Sequence, residues 1–172
     1  MYGPERRPSR LRALAARGRR VLRRRWDVLL VIAAGGVLGS LARWGVAELL
    51  PPSPGGMPWA TALVNVAGCL LLGVLLVLVV DVWPPSRYAR PFLGTGVLGG
   101  FTTFSTYMVD TRGLLVAHRP VLATTYRLGT LAAGLGAVWA GTALATLAVT
   151  RRSDTDGRRG RRRRSSGPGS MT

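Results

Sequence analysis

Gly99-Gly100-Phe101-Thr102-Thr103-Phe104-Ser105-Thr106-Tyr107 lies inside an otherwise apolar segment, and its reading decides the fold. Two glycines, four Ser or Thr hydroxyls and three aromatic rings fill these positions. A helix that only has to contact lipid has no use for that composition. Each glycine weakens a helix by roughly 1 kcal/mol relative to alanine. Ser and Thr hydroxyls bond backbone groups that an interruption frees. Non-helical backbone at membrane depth is tolerated only where it is buried in protein or lines a cavity. The stretch therefore predicts a transmembrane helix broken at its glycine pair, at the working centre of a transport protein. The competing reading is a kinked packing helix.

The surrounding run, about 92–116, is one of four; the others are 28–50, 59–80 and 121–149. Each is long enough to cross a bilayer, which takes roughly 20 apolar residues. The 172 residues are 48% hydrophobic yet carry a formal net charge of +17, a conflict for a soluble globule. Distribution removes the conflict. Every basic residue is arginine, and most lie in 1–26 and 151–172. A soluble nucleic-acid binder would carry arginines on folded, amphipathic faces, whereas arginines flanking apolar blocks are the membrane pattern. The fold class is thus an all-α membrane protein: four transmembrane helices over 27–150, the third broken, with Arg-rich disordered tails at 1–26 and 151–172. Solvation is the simplest reading of the first tail, and contact with anionic lipid headgroups is the next. A cleaved signal peptide also begins with arginines and an apolar run, but no small-residue cleavage signature follows 28–50. An even number of spans puts both tails on one side, with Arg87 and Arg90 of the second connection. The positive-inside rule makes that side cytoplasmic.

Within the first span, Gly35 and Gly39 form a small-xxx-small pair that lets another helix approach closely. Arg43 lies deep enough to need either a snorkelling route to the headgroups or a buried partner. Pro51-Pro52-Ser53-Pro54-Gly55-Gly56 predicts a helix end and a short stiff loop. Asn65 is the one strongly polar side chain of the second span. It is either interhelical glue or a carboxamide whose N–H groups face a passing anion. Asp110 follows the broken centre by one turn and either pairs with an arginine or caps the broken half. Tyr126, Thr130 and Gly134 share one face of the fourth span, as a pathway lining or as packing.

An enzyme is hard to build from these residues. The lone His118 sits in a loop beside Pro120, Cys69 has no neighbouring ligands, and Glu48, Asp81 and Asp110 lie near span ends. A proton-coupled exporter wants an ionisable group in mid-membrane, which disfavours a coupled small-ion or drug/proton antiporter, the alternative function. Passive permeation past hydroxyls, one amide and aromatic rings remains. Ring edges are the positive part of the aromatic quadrupole, and Phe104 and Tyr107 are spaced to share a face. Asn65, Thr103, Ser105 and Thr130 supply hydrogen-bond donors. A path for a small anion needs donors without a trapping charge, because the ion must also leave.

Gly35-Gly36-x-x-Gly39-x-x-x-Arg43, Val64-Asn65-x-x-Gly68 and the stretch from Gly99 to Tyr107, in that order on four short spans, resemble the Fluc/CrcB fluoride channels. The resemblance covers 28–149 and leaves both tails outside. It implies a fluoride-selective channel for passive export, which lowers intracellular toxicity, built as an antiparallel dimer with two pores. It also implies a central sodium ion, structural and not transported, on the backbone carbonyls of Gly99 and Thr102. Asn65 matches the pore asparagine, Phe104 the first phenylalanine of an aromatic box, and Thr130, one turn after Tyr126, a polar-track hydroxyl. Tyr107 stands where a second phenylalanine is usual, and Asp110 where glutamate is frequent. Arg43, Thr103, Ser105, Tyr126 and Asp110 are the supporting residues. The implied partners are fluoride, membrane lipids and a second subunit, with no nucleic acid; the implied location is the cell membrane.

One expectation goes beyond the resemblance. Subunits that insert in both orientations need nearly balanced charge, and a homodimer here would push arginine-rich tails across the membrane in half its copies. A homologous, oppositely biased second subunit is expected instead. The homodimer is the alternative, if tail arginines far from the spans count for little.

Overall fold

The computed structural model describes residues 25–51, 55–82, 84 and 86–165, with side chains described as far as 151. Residues 1–24 of the first tail and the centre of the Pro-rich loop, 52–54, lie outside the described residues. Helix α1 is Trp26–Leu49. Helix α2 is Trp59–Val77 and continues with π-helical hydrogen bonding over Leu78–Val82. Helix α3 is π-helical over Pro91–Leu98 and ends in one α-turn, Gly99–Phe101. Helix α4 is Phe104–Val116 and helix α5 is Pro120–Ser165. The α5 backbone thus continues into the stretch that composition assigns to the second tail.

Trp26–Leu49, Trp59–Val82 and Pro120–Arg151 are long and apolar enough to cross a membrane. The fourth crossing is α3 followed by α4. Large apolar side chains mostly face outward, among them Leu30, Trp44, Trp59, Leu63, Val109, Leu128 and Trp139. The interior is made largely of small residues: Gly35, Gly39, Thr61, Ala62, Gly68, Gly73, Ala123, Ala137 and Ala145 are buried, with Val64, Val77, Leu114 and Tyr126 as the larger members. Lipid is as apolar as leucine, so association in a membrane rests on close packing and interhelical hydrogen bonds rather than on burying large side chains.

Backbone approach organises two helix pairs. In the first, α1 meets α3: a Cβ on Gly39 would strike the carbonyl of Val97 and stand 2.8 Å from the nitrogen of Phe101, and a Cβ on Gly100 would strike the carbonyl of Gly36. The small-xxx-small expectation for Gly35 and Gly39 holds, with α3 as the visitor. In the second pair α2 meets α5, where Gly73 faces the carbonyl of Val138 and Gly141 that of Leu70. Helix α4 leaves the first pair and packs on α5. The broken span changes partner at its break.

The break itself is not at the glycine pair. Gly99 is right-handed helical, at φ −65° and ψ −34°. The chain becomes extended at Thr102 (φ −77°, ψ 155°) and Thr103 (φ −148°, ψ 120°). The glycines serve close approach, and the interruption falls on the two threonines after them. His118 also has a backbone role. It adopts φ 55° after α4, with Arg119 N–H bonded to the Leu114 carbonyl and His118 N–H to that of Leu115. That pair of bonds is a Schellman ending, which sends the chain back into α5.

Candidate functional site

An extended step in the middle of a span frees polar backbone that lipid cannot satisfy. Asn65 meets that need from α2. Its amide nitrogen donates to the Thr103 carbonyl at 2.9 Å, and its amide oxygen accepts from the Thr103 N–H at 2.8 Å. Gly68, one turn further, leaves room for the Thr102 methyl group, which any Cβ there would strike. The Asn-x-x-Gly spacing thus supplies an amide clamp and a socket for two consecutive threonines. The glue reading of Asn65 describes these bonds, and the same side chain also borders the groove described below.

Thr103 caps α4. Its hydroxyl accepts from the Thr106 N–H at 3.2 Å and lies within 3.0 Å of the Thr106 hydroxyl and 3.3 Å of that of Ser105. An N-cap threonine of this kind satisfies one of the free donors of a helix start. On the other side of the break, the Thr102 N–H and hydroxyl both bond the Leu98 carbonyl, at 3.0 and 3.1 Å. The Ser40 hydroxyl lies 3.4 Å from the Gly100 carbonyl. Among the described residues, no side-chain hydrogen bond and no backbone bond outside the helices' own ladders falls on the carbonyls of Gly99 and Thr102.

These features open on one groove of about 480 Å³ between α2, α3, α4 and α5. Asn65, Gly99, Thr102, Thr103, Phe104, Tyr107 and Thr130 all line it, while no carboxylate, arginine or histidine does. Phe104 is 74% exposed. Its ring centroid lies 5.9 Å from that of Tyr107, which in turn lies 5.2 Å from that of Tyr126. The Thr130 hydroxyl is buried, with no hydrogen-bond partner among the described residues. A hydroxyl left without a partner in a low-dielectric setting is costly.

Other expected residues stand apart. Arg43 lines a separate cavity of about 270 Å³ with Ser40, Trp44, Thr61, Thr103 and Thr106. Among the described residues Asp110 neither caps a helix nor pairs with an arginine; it accepts from the Tyr126 hydroxyl at 3.4 Å. Tyr126, expected on a stripe with Thr130, is fully buried among Ala62, Leu114 and Ala123. Ser105 contacts Thr103 and is not part of the groove wall. Sequence reasoning missed Cys69, Leu98 and the socket made by Gly68. The only signal for that socket was its place three residues after Asn65.

A hard cation prefers oxygen ligands, and the backbone carbonyls of Gly99 and Thr102 are oxygens beside the break. Among the described residues there is no cluster of His, Cys, Asp or Glu able to hold a metal.

Residues 30–142 match the family described as CrcB-like protein, Camphor Resistance (CrcB). A protein of Streptomyces avermitilis called "Fluoride-specific ion channel FluC 2" is 53% identical over 104 residues, 60% of this chain and 66% of its own length. "Fluoride-specific ion channel FluC 2" of Nocardia farcinica is 48% identical over 122 residues, 71% of this chain and 87% of its own. "Fluoride-specific ion channel FluC 1" of Streptomyces coelicolor is 46% identical over 133 residues, 77% of this chain and 86% of its own. The match takes in most of α1, the break with its clamp, the aromatic pair and the first half of α5, and the chain belongs to the CrcB family.

Proposed function

We propose that this protein is a fluoride-selective ion channel that lets a cell shed fluoride passively. The observation that carries the proposal is the groove: one amide, a buried hydroxyl without a partner and two aromatic rings border it, with no formal charge. Donors of this kind can replace water around a small anion without holding it too tightly to leave. Hydrofluoric acid crosses membranes as the neutral molecule and ionises inside. An exit for the anion, driven by the inside-negative potential, is then sufficient. The absence of a carboxylate from the groove wall speaks against proton coupling, and the names of the relatives are those of channels rather than enzymes.

Asn65, Phe104, Tyr107 and Thr130 form the fluoride path in this reading. The carbonyls of Gly99 and Thr102 hold a structural sodium ion, which offsets the partial negative charge at the C-terminal end of α3 and is not transported. Two carbonyls are too few for a hard cation, so a second subunit completes the site. The subunits are antiparallel and lie in the cell membrane, with both tails of this chain in the cytoplasm. Strong positive bias fixes that orientation, so the second subunit is a homologue of opposite bias. Two of the related proteins come from Streptomyces avermitilis, so several such chains coexist in one organism.

The test is fluoride efflux from liposomes, with chloride as control, for this chain alone and with a homologous partner. Efflux only with the partner supports channel and heterodimer together. Fast efflux from the chain alone supports the channel and refutes the obligate partner. Folded protein silent in both arrangements overturns the channel reading.

A further inference from the structure

Residues 27–150 hold only six of the chain's 24 arginines, and the fold sorts those six by end. Arg87 and Arg90 lie between α2 and α3, on the side of the two tails. Arg119 lies in the turn between α4 and α5, at the opposite end, and Arg112 stands four residues before α4 ends there at Val116. Arg43 and Arg127 are inside α1 and α5, nearer to that same opposite end. Orientation in a membrane follows Lys and Arg close to the span ends, while Asp and Glu contribute little. Two arginines at one end and four at the other give the channel domain no bias toward the observed side of its tails. The two on the tail side are also engaged by the fold. Arg87 pairs with Asp27 of α1 at 2.7 Å, where the Tyr88 hydroxyl donates to the same carboxylate at 2.7 Å, and Arg90 donates to the Val79 carbonyl.

The tails carry the rest, ten arginines in 1–26 and eight in 151–172. They begin where the spans end. Arg25 directly precedes Trp26, the first residue of α1, with Arg23 and Arg24 before it. Arg151 closes the apolar span that starts at Pro120, Arg152 follows it, and the α5 backbone runs on to Ser165 without a linker. Arginines within roughly 15–20 residues of a span count toward orientation. Distance from the spans therefore gives no reason to discount these.

We propose that the two Arg-rich tails are the partner-selecting element of this chain. They hold in one orientation a channel domain that has no such preference of its own, and so bar it from pairing antiparallel with its own copies. An inverted copy would have to carry both tails across the bilayer. Selectivity of this kind works by penalising the wrong pairing, with no change in the surfaces that meet. The partner that fits is a homologous chain with its arginines concentrated on the connections equivalent to 50–58 and 117–119. The inference rests on the antiparallel channel proposed above.

The experiment expresses three full-length chains in bacteria that lack a fluoride exporter. One is native, one has every arginine of 1–26 and 151–172 replaced by glutamine, and one has Arg87→Gln with Arg90→Gln and native tails. Glutamine matches arginine closely in helix propensity. Two C-terminal reporters, one active only in the cytoplasm and one only outside, read orientation. Fluoride efflux from intact cells reads pairing, because the chains never pass through detergent, where orientation is lost. The native chain and the Arg87/Arg90 variant are expected with the C-terminus inside only. The glutamine-tailed chain is expected on both sides, within about threefold of equal amounts, and with roughly tenfold faster efflux than the native chain alone. A glutamine-tailed chain that stays inside, a native chain found on both sides, or mixed orientation in the Arg87/Arg90 variant overturns the assignment. A glutamine-tailed chain that lies on both sides and yet passes no fluoride overturns the selection of partners by orientation. Coexpression of the native chain with a homologous partner then tells the two readings apart. Efflux from that pair leaves the channel reading standing, and silence removes it as well.

Discussion

The two halves of the broken span solve the same problem by different means. Helix α3 is held by α1 mainly through backbone contact, with glycines on both sides and the Ser40 hydroxyl near the Gly100 carbonyl. Helix α4 is held through side chains: the Asn65 clamp, the Thr103 cap and the tyrosine ties to α5. One half needs residues with nothing to offer, the other residues with something to give. The difference teaches where this protein tolerates change. Steric faults belong to α3, and polar faults belong to the break and α4.

The largest effect should come from filling the α1–α3 contact. Gly39→Val places a branched side chain against the backbone of Val97 and Phe101, and backbone has nowhere to retreat. Over-packing of a rigid contact costs about 1–3 kcal/mol or more, so little folded protein is expected by size-exclusion chromatography in detergent. Gly45→Ala, on the same helix with nothing within 4 Å, should behave as the native protein. Equal behaviour of the two variants would break the distinction between the halves.

Loss of the clamp comes next. Asn65→Leu keeps the volume but leaves the Thr103 N–H without its partner and takes one donor from its carbonyl. Leaving buried polar groups unsatisfied costs about 1–3 kcal/mol. The variant should unfold at lower SDS concentration and lose at least tenfold in fluoride efflux. A stable Asn65→Leu that still conducts would show that the break needs no outside donor. The cap is smaller. Thr103→Ala is expected to cost about 1 kcal/mol, and Thr103→Ser to recover most of it, both read from the same unfolding titration. Failure of serine to rescue would assign the loss to the methyl group rather than to the cap.

Much of this was legible in the sequence. Four apolar runs named the spans, and Gly35 with Gly39 named a close helix contact, because both signals are local. The Phe104–Tyr107 pair followed from helical spacing and is found. The location of the break was not legible. It depends on Asn65 and Gly68, more than 30 residues upstream, and no local propensity encodes a partner on another helix. For the same reason the face shared by Tyr126 and Thr130 divides in space. Tyr126 is taken up by Ala62 and Leu114, while Thr130 keeps its place at the groove. Asp110 was expected to find an arginine or a helix end and finds a tyrosine.

The smallest expected effect bears most directly on how the break arises. If paired glycines broke the helix, replacing one by a helix former would repair it and strain the span. Gly99 is already helical, however, and a Cβ there meets only the Gly94 carbonyl at 3.9 Å. Gly99→Ala should therefore leave the extended step at Thr102 and Thr103 in place. Within the single chain it should add up to about 1 kcal/mol of stability, the helix-propensity difference. The SDS unfolding titration reads the gain, and amide exchange at Thr103 reads the break, whose N–H should stay protected by Asn65. Gly99 also borders the groove, so the methyl group projects toward the surface where a second subunit is proposed to sit. A variant that is stable as a single chain yet fails to dimerise would locate the function of Gly99 in assembly rather than in helix breaking. A variant that unfolds more readily as a single chain would return the glycine pair to the role of breaker, and the clamp would then answer to the break rather than hold it.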